Sequence, residues 1–195
     1  MHGFANAVAD WLVKTEAVSE EEKDLYSYAV FSVVVSAVPL FITLVVGLFM
    51  DMLYKSILFI VPFIMIRKFS GGFHLKSLNK CLFVSTLIIF LSLKAIDIVL
   101  NKEAYIVAVF LAIPSAALIF MESPVDSAER RLSDHEKIVF SRIAKFLVAV
   151  FTTLILVLFY MGKNTIVVPL CFGIVLPGLL QLPCILMRNR TNDAD

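Results

Sequence analysis

The chain has 195 residues, 60% of them hydrophobic, with a mean hydropathy of +0.92 and a formal net charge of +1. An apolar share so far above that of ordinary soluble domains makes this an integral membrane protein and excludes a soluble globular enzyme. The near-neutral balance gives no electrostatic basis for a nucleic-acid partner; Cys81, Cys171 and Cys184 lack the spacing of a zinc site or disulfide framework, so no metal or other cofactor is expected.

Residues 1–28 carry Asp10, Glu16, Glu20, Glu21, Glu22 and Asp24, the wrong charge for a cleavable signal peptide. Phe4, Val8, Trp11 and Leu12 recur at helical spacing, which predicts an interfacial amphipathic helix over 1–18. Ser19 followed by Glu22 has capping-box form and should start the helix that enters the bilayer.

A transmembrane helix needs about 20 mainly apolar residues. Six segments qualify, at 29–50, 52–66, 82–100, 104–121, 143–161 and 164–187, the second being the shortest. Unbroken apolar runs exclude the alternating strands of a barrel, so the expectation is a single all-α polytopic membrane domain over 1–195. With the N-terminus inside, thirteen Lys and Arg residues fall in inside segments and only Lys55, Lys102 and Lys163 outside, with Lys94 within the third span. That asymmetry places both termini in the cytoplasm, together with polar loops at 67–81 and 122–142. Pro169, Gly173, Pro177, Gly178 and Pro183 predict a kinked or interrupted last span.

The first loop, "RKFSGGFHLKSLNKC", carries the candidate chemistry. Cytoplasmic thiols stay reduced, and a histidine that takes the thiol proton makes a cysteine nucleophilic. His74 and Cys81 are seven residues apart, which on a continuous helix would separate them by about 10.5 Å along the axis. They can meet only if the intervening chain is not regular helix, and Gly71 and Gly72 suit such a chain. An irregular or re-entrant segment around 69–78 is therefore expected, with Cys81 at the start of the third span. A helix N-terminus, with Lys76 and Lys80 nearby, favours the thiolate. Glycine N–H groups could hold an oxyanion, and Ser77 or Asn79 could orient the imidazole.

These residues resemble the accessory gene regulator B (AgrB) family of bacterial peptide-processing membrane endopeptidases. The resemblance rests on Arg67, Gly71–Gly72, His74 and Cys81, and extends to chain length, span number and the later "SPVDSAERRLS" loop. Two departures stand beside it: Leu75 follows the histidine where members often have alanine, and the first span offers only Ser32 and Ser36 where some members carry a polar residue. The resemblance implies a dyad of Cys81 as nucleophile and His74 as general base, supported by Arg67, Gly71, Gly72 and Ser77. It implies an AgrD-like autoinducing-peptide precursor as substrate, cleaved through a Cys81 thioester, its acidic tail released and the remainder closed into a thiolactone or lactone. The implied setting is bacterial quorum sensing at the cell membrane. Arg130, Arg131 and Lys137 are candidate partners of the acidic tail. Small bundles with polar interiors commonly pair, so a homodimer is a candidate assembly.

The rival reading is a small peptide transporter or exporter without covalent catalysis. Its support is Lys94 and Asp97 in the third span, which near the outer end of a helix more simply snorkel and neutralise one another. Cys171 and Cys184 lie in an apolar span and are expected to pack, and His2 and His135 to be surface residues.

Overall fold

The computed structural model describes residues 2–15, 18–71, 78–125 and 134–192. Contacts cluster the chain into two compact units, 1–42 and 43–195.

In the first unit, α1 (His2–Lys14) occupies the amphipathic stretch and is closed by Thr15, whose N–H and hydroxyl both return to the Trp11 carbonyl at 3.0 Å. Ser19 then opens a single 3-10 turn, Glu20–Glu22, that passes directly into α2 (Lys23–Phe49). The helix starts where the capping-box pattern put it, but the bonding differs. The Ser19 hydroxyl donates to the Glu22 carboxylate at 3.0 Å, a charge-assisted bond, and makes no side-chain cap bond to the backbone. Two side-chain contacts join α1 to the start of α2: Lys23 Nζ lies 2.6 Å from Asp10 Oδ1, and the Ser27 hydroxyl donates to Asn6 Oδ1. The Asp10 carboxylate, as hydrogen-bond partner and as charge, raises the Lys23 pKa above the ordinary lysine value.

The second unit holds the end of α2 with α3 (Leu53–Ser70), α4 (Leu78–Asn101), α5 (Tyr105–Glu122), α6 (Asp134–Tyr160) and α7 (Asn164–Asn192). Among the described residues there is no strand, only an isolated parallel bridge between Gly71 and Val125. Among the described residues, four stretches are long and apolar enough to cross a bilayer: Phe83–Asn101, Tyr105–Glu122, His135–Tyr160 and Asn164–Leu186. They coincide with the last four predicted segments. The first two predicted segments correspond to a shorter apolar stretch, Ala37–Phe49 of α2, and to α3. Large apolar side chains such as Phe83, Ile106, Phe110 and Phe146 point outward, as hydrocarbon surroundings require and water does not allow at this density.

Helix α7 is the centre of this unit. Two-thirds of its apolar window (67%) is buried, against 17–28% in the other three spans, and it packs against α3, α4, α5 and α6. Glycines make the close approaches: a Cβ on Gly173 would stand 2.8 Å from the Phe59 carbonyl oxygen and overlap Pro62, and one on Gly178 would stand 3.0 Å from Ser115 Cβ. Small residues are what lets apolar helices pack tightly when no water drives them together. The last span, expected to be kinked or interrupted, is not interrupted: α7 runs as one helix through Pro169, Pro177 and Pro183. Packing on four neighbours offsets the backbone bonds that the prolines remove.

Three turns, between α2 and α3, α4 and α5, and α6 and α7, share one construction. Met52 N–H reaches the Gly47 carbonyl, Ala104 N–H reaches Val99 and Lys163 N–H reaches Leu158, at 2.8, 3.0 and 2.9 Å. The preceding residues, Asp51, Glu103 and Gly162, have φ of 53°, 53° and 71° and donate to Leu48, Leu100 and Phe159. These are Schellman closures, which satisfy the last carbonyls of a helix with a left-handed residue after it.

Helix extends into described parts of both predicted polar loops. Helix persists through Ser70 and resumes at Leu78, so 67–70 and 78–81 are helical. Likewise α6 begins at Asp134, which makes the 134–142 part of the predicted 122–142 loop helical. The physical reason is packing: Phe140 of α6 meets the Phe69 ring edge-on, centroids 5.5 Å apart, and this half-buried aromatic pair anchors the start of α6 against the end of α3.

Candidate functional site

The end of α3 is where the sequence-predicted site begins. Arg67 and Lys68 occupy its last turn, where cations favour the negative end of the helix dipole. The Arg67 guanidinium donates to the Gly71 carbonyl oxygen, folding back over the terminus. Gly71 itself has φ 71° and ψ −161°, a combination that only glycine adopts readily, and this ends the helix. A Cβ here would overlap the Val125 carbonyl oxygen.

The end of α5 meets the same point. Ser123 closes α5 with its N–H on the Ile119 carbonyl at 3.0 Å, the Ser123–Pro124 peptide is cis, and Val125 N–H donates to the Ser70 carbonyl at 3.0 Å. Across both termini lies Gln181 of α7. Its Nε2 donates to the Ser70 carbonyl oxygen at 2.8 Å and to the Ser123 hydroxyl at 2.9 Å. Gln181 and Ser70 are fully buried, and Ser123 and Val125 nearly so. The Ser70 oxygen thus accepts from both Val125 and Gln181, using both lone pairs. Among the described residues, the buried Gln181 Oε1 has no donor.

The surroundings of these ends are cationic and aromatic. Lys68 Nζ stands 5.7 Å from the Phe69 ring centroid, and Lys145 Nζ 5.5 Å from that of Phe120. Lys137, in the first turn of α6, is half-buried.

The clamp joins two of the sequence-predicted site residues, Arg67 and Gly71. Cys81 stands in the first turn of α4; its backbone is described and its side chain is not. Gly72, His74, Ser77, Arg130 and Arg131 lie outside the described residues. Cys171 is fully buried on α7, as packing predicts, and Cys184 is partly buried on the same helix. Lys94 is exposed and Asp97 partly buried on α4. Among the described residues no group of three or more His, Cys, Asp or Glu side chains is placed to hold a metal ion.

Sequence reasoning missed Gln181, Ser70, Ser123 and Val125. The available signal was Gln181 itself, a polar side chain inside an apolar span, which marks function or an obligatory hydrogen bond by default.

The comparisons with known proteins agree with the family resemblance. The family model for accessory gene regulator B matches residues 5–185. An AgrB-like protein 2 of Clostridium perfringens (strain 13 / Type A) is 22% identical over 122 residues, covering 60% of this chain and 57% of the relative. An AgrB-like protein of Clostridium perfringens (strain SM101 / Type A) is 21% identical over 122 residues with the same coverage, 60% and 57%. The chain therefore spans little more than half the length of the curated relatives it matches. No solved structure matches. The match across nearly the whole chain, with all-helical architecture and several bilayer-length helices, assigns it: the chain belongs to the accessory gene regulator B family.

Proposed function

We propose that this protein is a membrane-embedded cysteine endopeptidase of bacterial quorum sensing, acting on an AgrD-like autoinducing-peptide precursor. It is a single polytopic domain of six spans, formed by α2 to α7, with α1 lying in the membrane interface. Both termini and the two polar loops face the cytoplasm. The observation that carries the reading is the family match over residues 5–185, which includes the Arg67, Gly71–Gly72, His74, Cys81 pattern.

The chemistry follows from the residue types. His74 takes the Cys81 proton, and the thiolate adds to the scissile carbonyl of the precursor. The tetrahedral adduct collapses; the C–N bond breaks, the C–S bond stays, and the departing amine of the tail takes the proton from His74. A thiol or hydroxyl of the bound peptide next gives its proton to His74 and attacks the thioester. The ring closes, and Cys81 leaves as thiolate and recovers the proton. Cyclisation wins over hydrolysis because the internal nucleophile has a high effective concentration and a membrane-boundary site excludes water. The position of Cys81 in the first turn of α4 supports its role, since a helix N-terminus stabilises a thiolate. Arg130, Arg131 and Lys137 attract the acidic tail, with Arg67, Gly71, Gly72 and Ser77 supporting the dyad. A homodimer is the proposed assembly.

The test is mass spectrometry of an AgrD-like precursor co-expressed with wild type, Cys81→Ala or His74→Ala. A tail-less or cyclic peptide with wild type alone supports the proposal. Cleavage by Cys81→Ala overturns it, and transport of intact peptide into vesicles by all three proteins replaces it with the exporter reading.

A further inference from the structure

The two polar segments that the proposed function needs, 72–77 with His74 and 126–133 with Arg130 and Arg131, leave the helical framework from one place. The first departs from Gly71 and the second from Val125, and those two residues are bridged in parallel. What holds the bridge is the Ser70 carbonyl, and what holds the Ser70 carbonyl from the bundle interior is Gln181.

Chain geometry limits where His74 can go. It is three residues beyond Gly71, so its Cα lies no more than about 11 Å from that of Gly71 in any conformation. The end of α3 therefore sets the centre of the region open to the imidazole. The Gln181 amide makes both Nε2 bonds, and among the described residues its buried Oε1 has no donor.

We infer that Gln181 is a positioning residue for the His74–Cys81 dyad. Its Nε2 fixes the end of α3 from which the His74 segment departs. The inference rests on the proposed dyad and adds to it the group that sets where the imidazole stands. Gln181 acts through the backbone of Ser70 and Gly71 and does not itself react.

The test reads the Cys81 thiolate directly and needs no precursor. In full-length protein carrying Cys171→Ser and Cys184→Ser, only Cys81 can be alkylated, and its rate with iodoacetamide against pH reports the thiol–thiolate balance. His74→Ala is the reference for an unassisted thiol, expected to move the profile by about one pH unit or more toward alkaline values. Gln181→Leu removes both hydrogen bonds and is expected to move the profile most of the way to the His74→Ala curve. Gln181→Asn keeps an amide but is one methylene shorter; it is expected to shift the profile in the same direction and serves alone if the leucine variant does not fold. A residue that only stabilises the bundle would lower the melting temperature and leave the profile in place. A wild-type profile from a folded Gln181 variant, with His74→Ala shifted, overturns the inference and leaves the dyad standing. A wild-type profile from His74→Ala removes the dyad itself.

Discussion

Gln181 and Ser70 are 111 residues apart in sequence and joined by a hydrogen bond of 2.8 Å between side-chain amide and main-chain carbonyl. No spacing rule links them. The bond exists because α7 runs through the middle of the second unit and delivers a polar side chain to the end of α3, where the helix leaves carbonyls without internal partners. A carbonyl buried this completely must find its donor within the protein. The amide thus acts as a helix cap contributed from outside the helix.

The same junction predicts an unequal response of two glycines with the same φ. Gly71 and Gly162 both have φ 71°, but Gly162 has nothing within 4 Å of its would-be Cβ, whereas Gly71 faces the Val125 carbonyl oxygen. Gly162→Ala should cost about 1 kcal/mol, the ordinary left-handed penalty. Gly71→Ala adds a steric overlap and a ψ in the region reserved for glycine, and should cost about 3 kcal/mol or more. Thermal unfolding in detergent ranks the two; an equal loss would show that Val125 yields freely.

The four later helices were legible because stretches of 18 or more mainly apolar residues are long enough to cross a bilayer and stand out in composition. The ends of the polar loops were not. Residues 134–142 look like solvated chain because His135, Glu136, Lys137 and Arg142 dominate the composition, yet the register of Phe140 against Phe69 makes them the first turns of α6. For the site, the pattern from Arg67 to Cys81 could be seen in one stretch of sequence because its members are close along the chain. The Gln181–Ser123–Ser70 cluster could not, since its members sit on three helices and two of them, a carbonyl and a serine hydroxyl, carry no distinctive chemistry.

The three Schellman turns differ in one residue, and that difference is exploitable. Gly162 adopts the left-handed conformation at no steric cost, while Asp51 and Glu103 hold φ of 53° with a Cβ in place. Glu103→Gly should raise stability by up to about 1 kcal/mol, offset in part by the greater freedom of glycine in the unfolded chain. Asp51→Gly should gain less, because aspartate tolerates this conformation better. Chemical denaturation of the two variants in the same detergent measures the order; a loss at Glu103→Gly would mean that the side chain makes a stabilising contact at the turn.

Along α7, Gly173 and Gly178 test whether close approach matters uniformly. Alanine at 173 meets the Phe59 carbonyl oxygen at 2.8 Å and overlaps Pro62, both parts of rigid α3, whereas at 178 the nearest atom is Ser115 Cβ at 3.0 Å. Gly173→Ala should destabilise by about 1–3 kcal/mol and separate α3 from α7. Gly178→Ala should cost less, since a few tenths of an ångström of helix movement relieves it. The melting temperatures of the two single variants give the comparison, and a larger loss at 178 would reverse it.

In the first unit, pH acts through Lys23. Its pKa is raised in the folded state by the Asp10 hydrogen bond and charge, with Glu20 and Asp24 adding to the effect. A base whose folded pKa exceeds its unfolded one binds its proton more tightly when folded. The α1–α2 tie is therefore fully present below the ordinary lysine value of 10.5 and is lost as pH climbs through the higher folded value. Both side chains are substantially solvent-accessible, so the contribution is small and weakened by salt. Trp11, the single tryptophan, sits on α1 and is exposed, which makes its fluorescence a reporter of that helix. A wild-type-minus-Asp10→Asn difference spectrum should stay flat through neutral pH and change only above pH 10.5. Asp10→Asn removes the charge while keeping size, so tyrosine ionisation cancels in the difference. A change centred at neutral pH would assign the tie to a group other than Lys23.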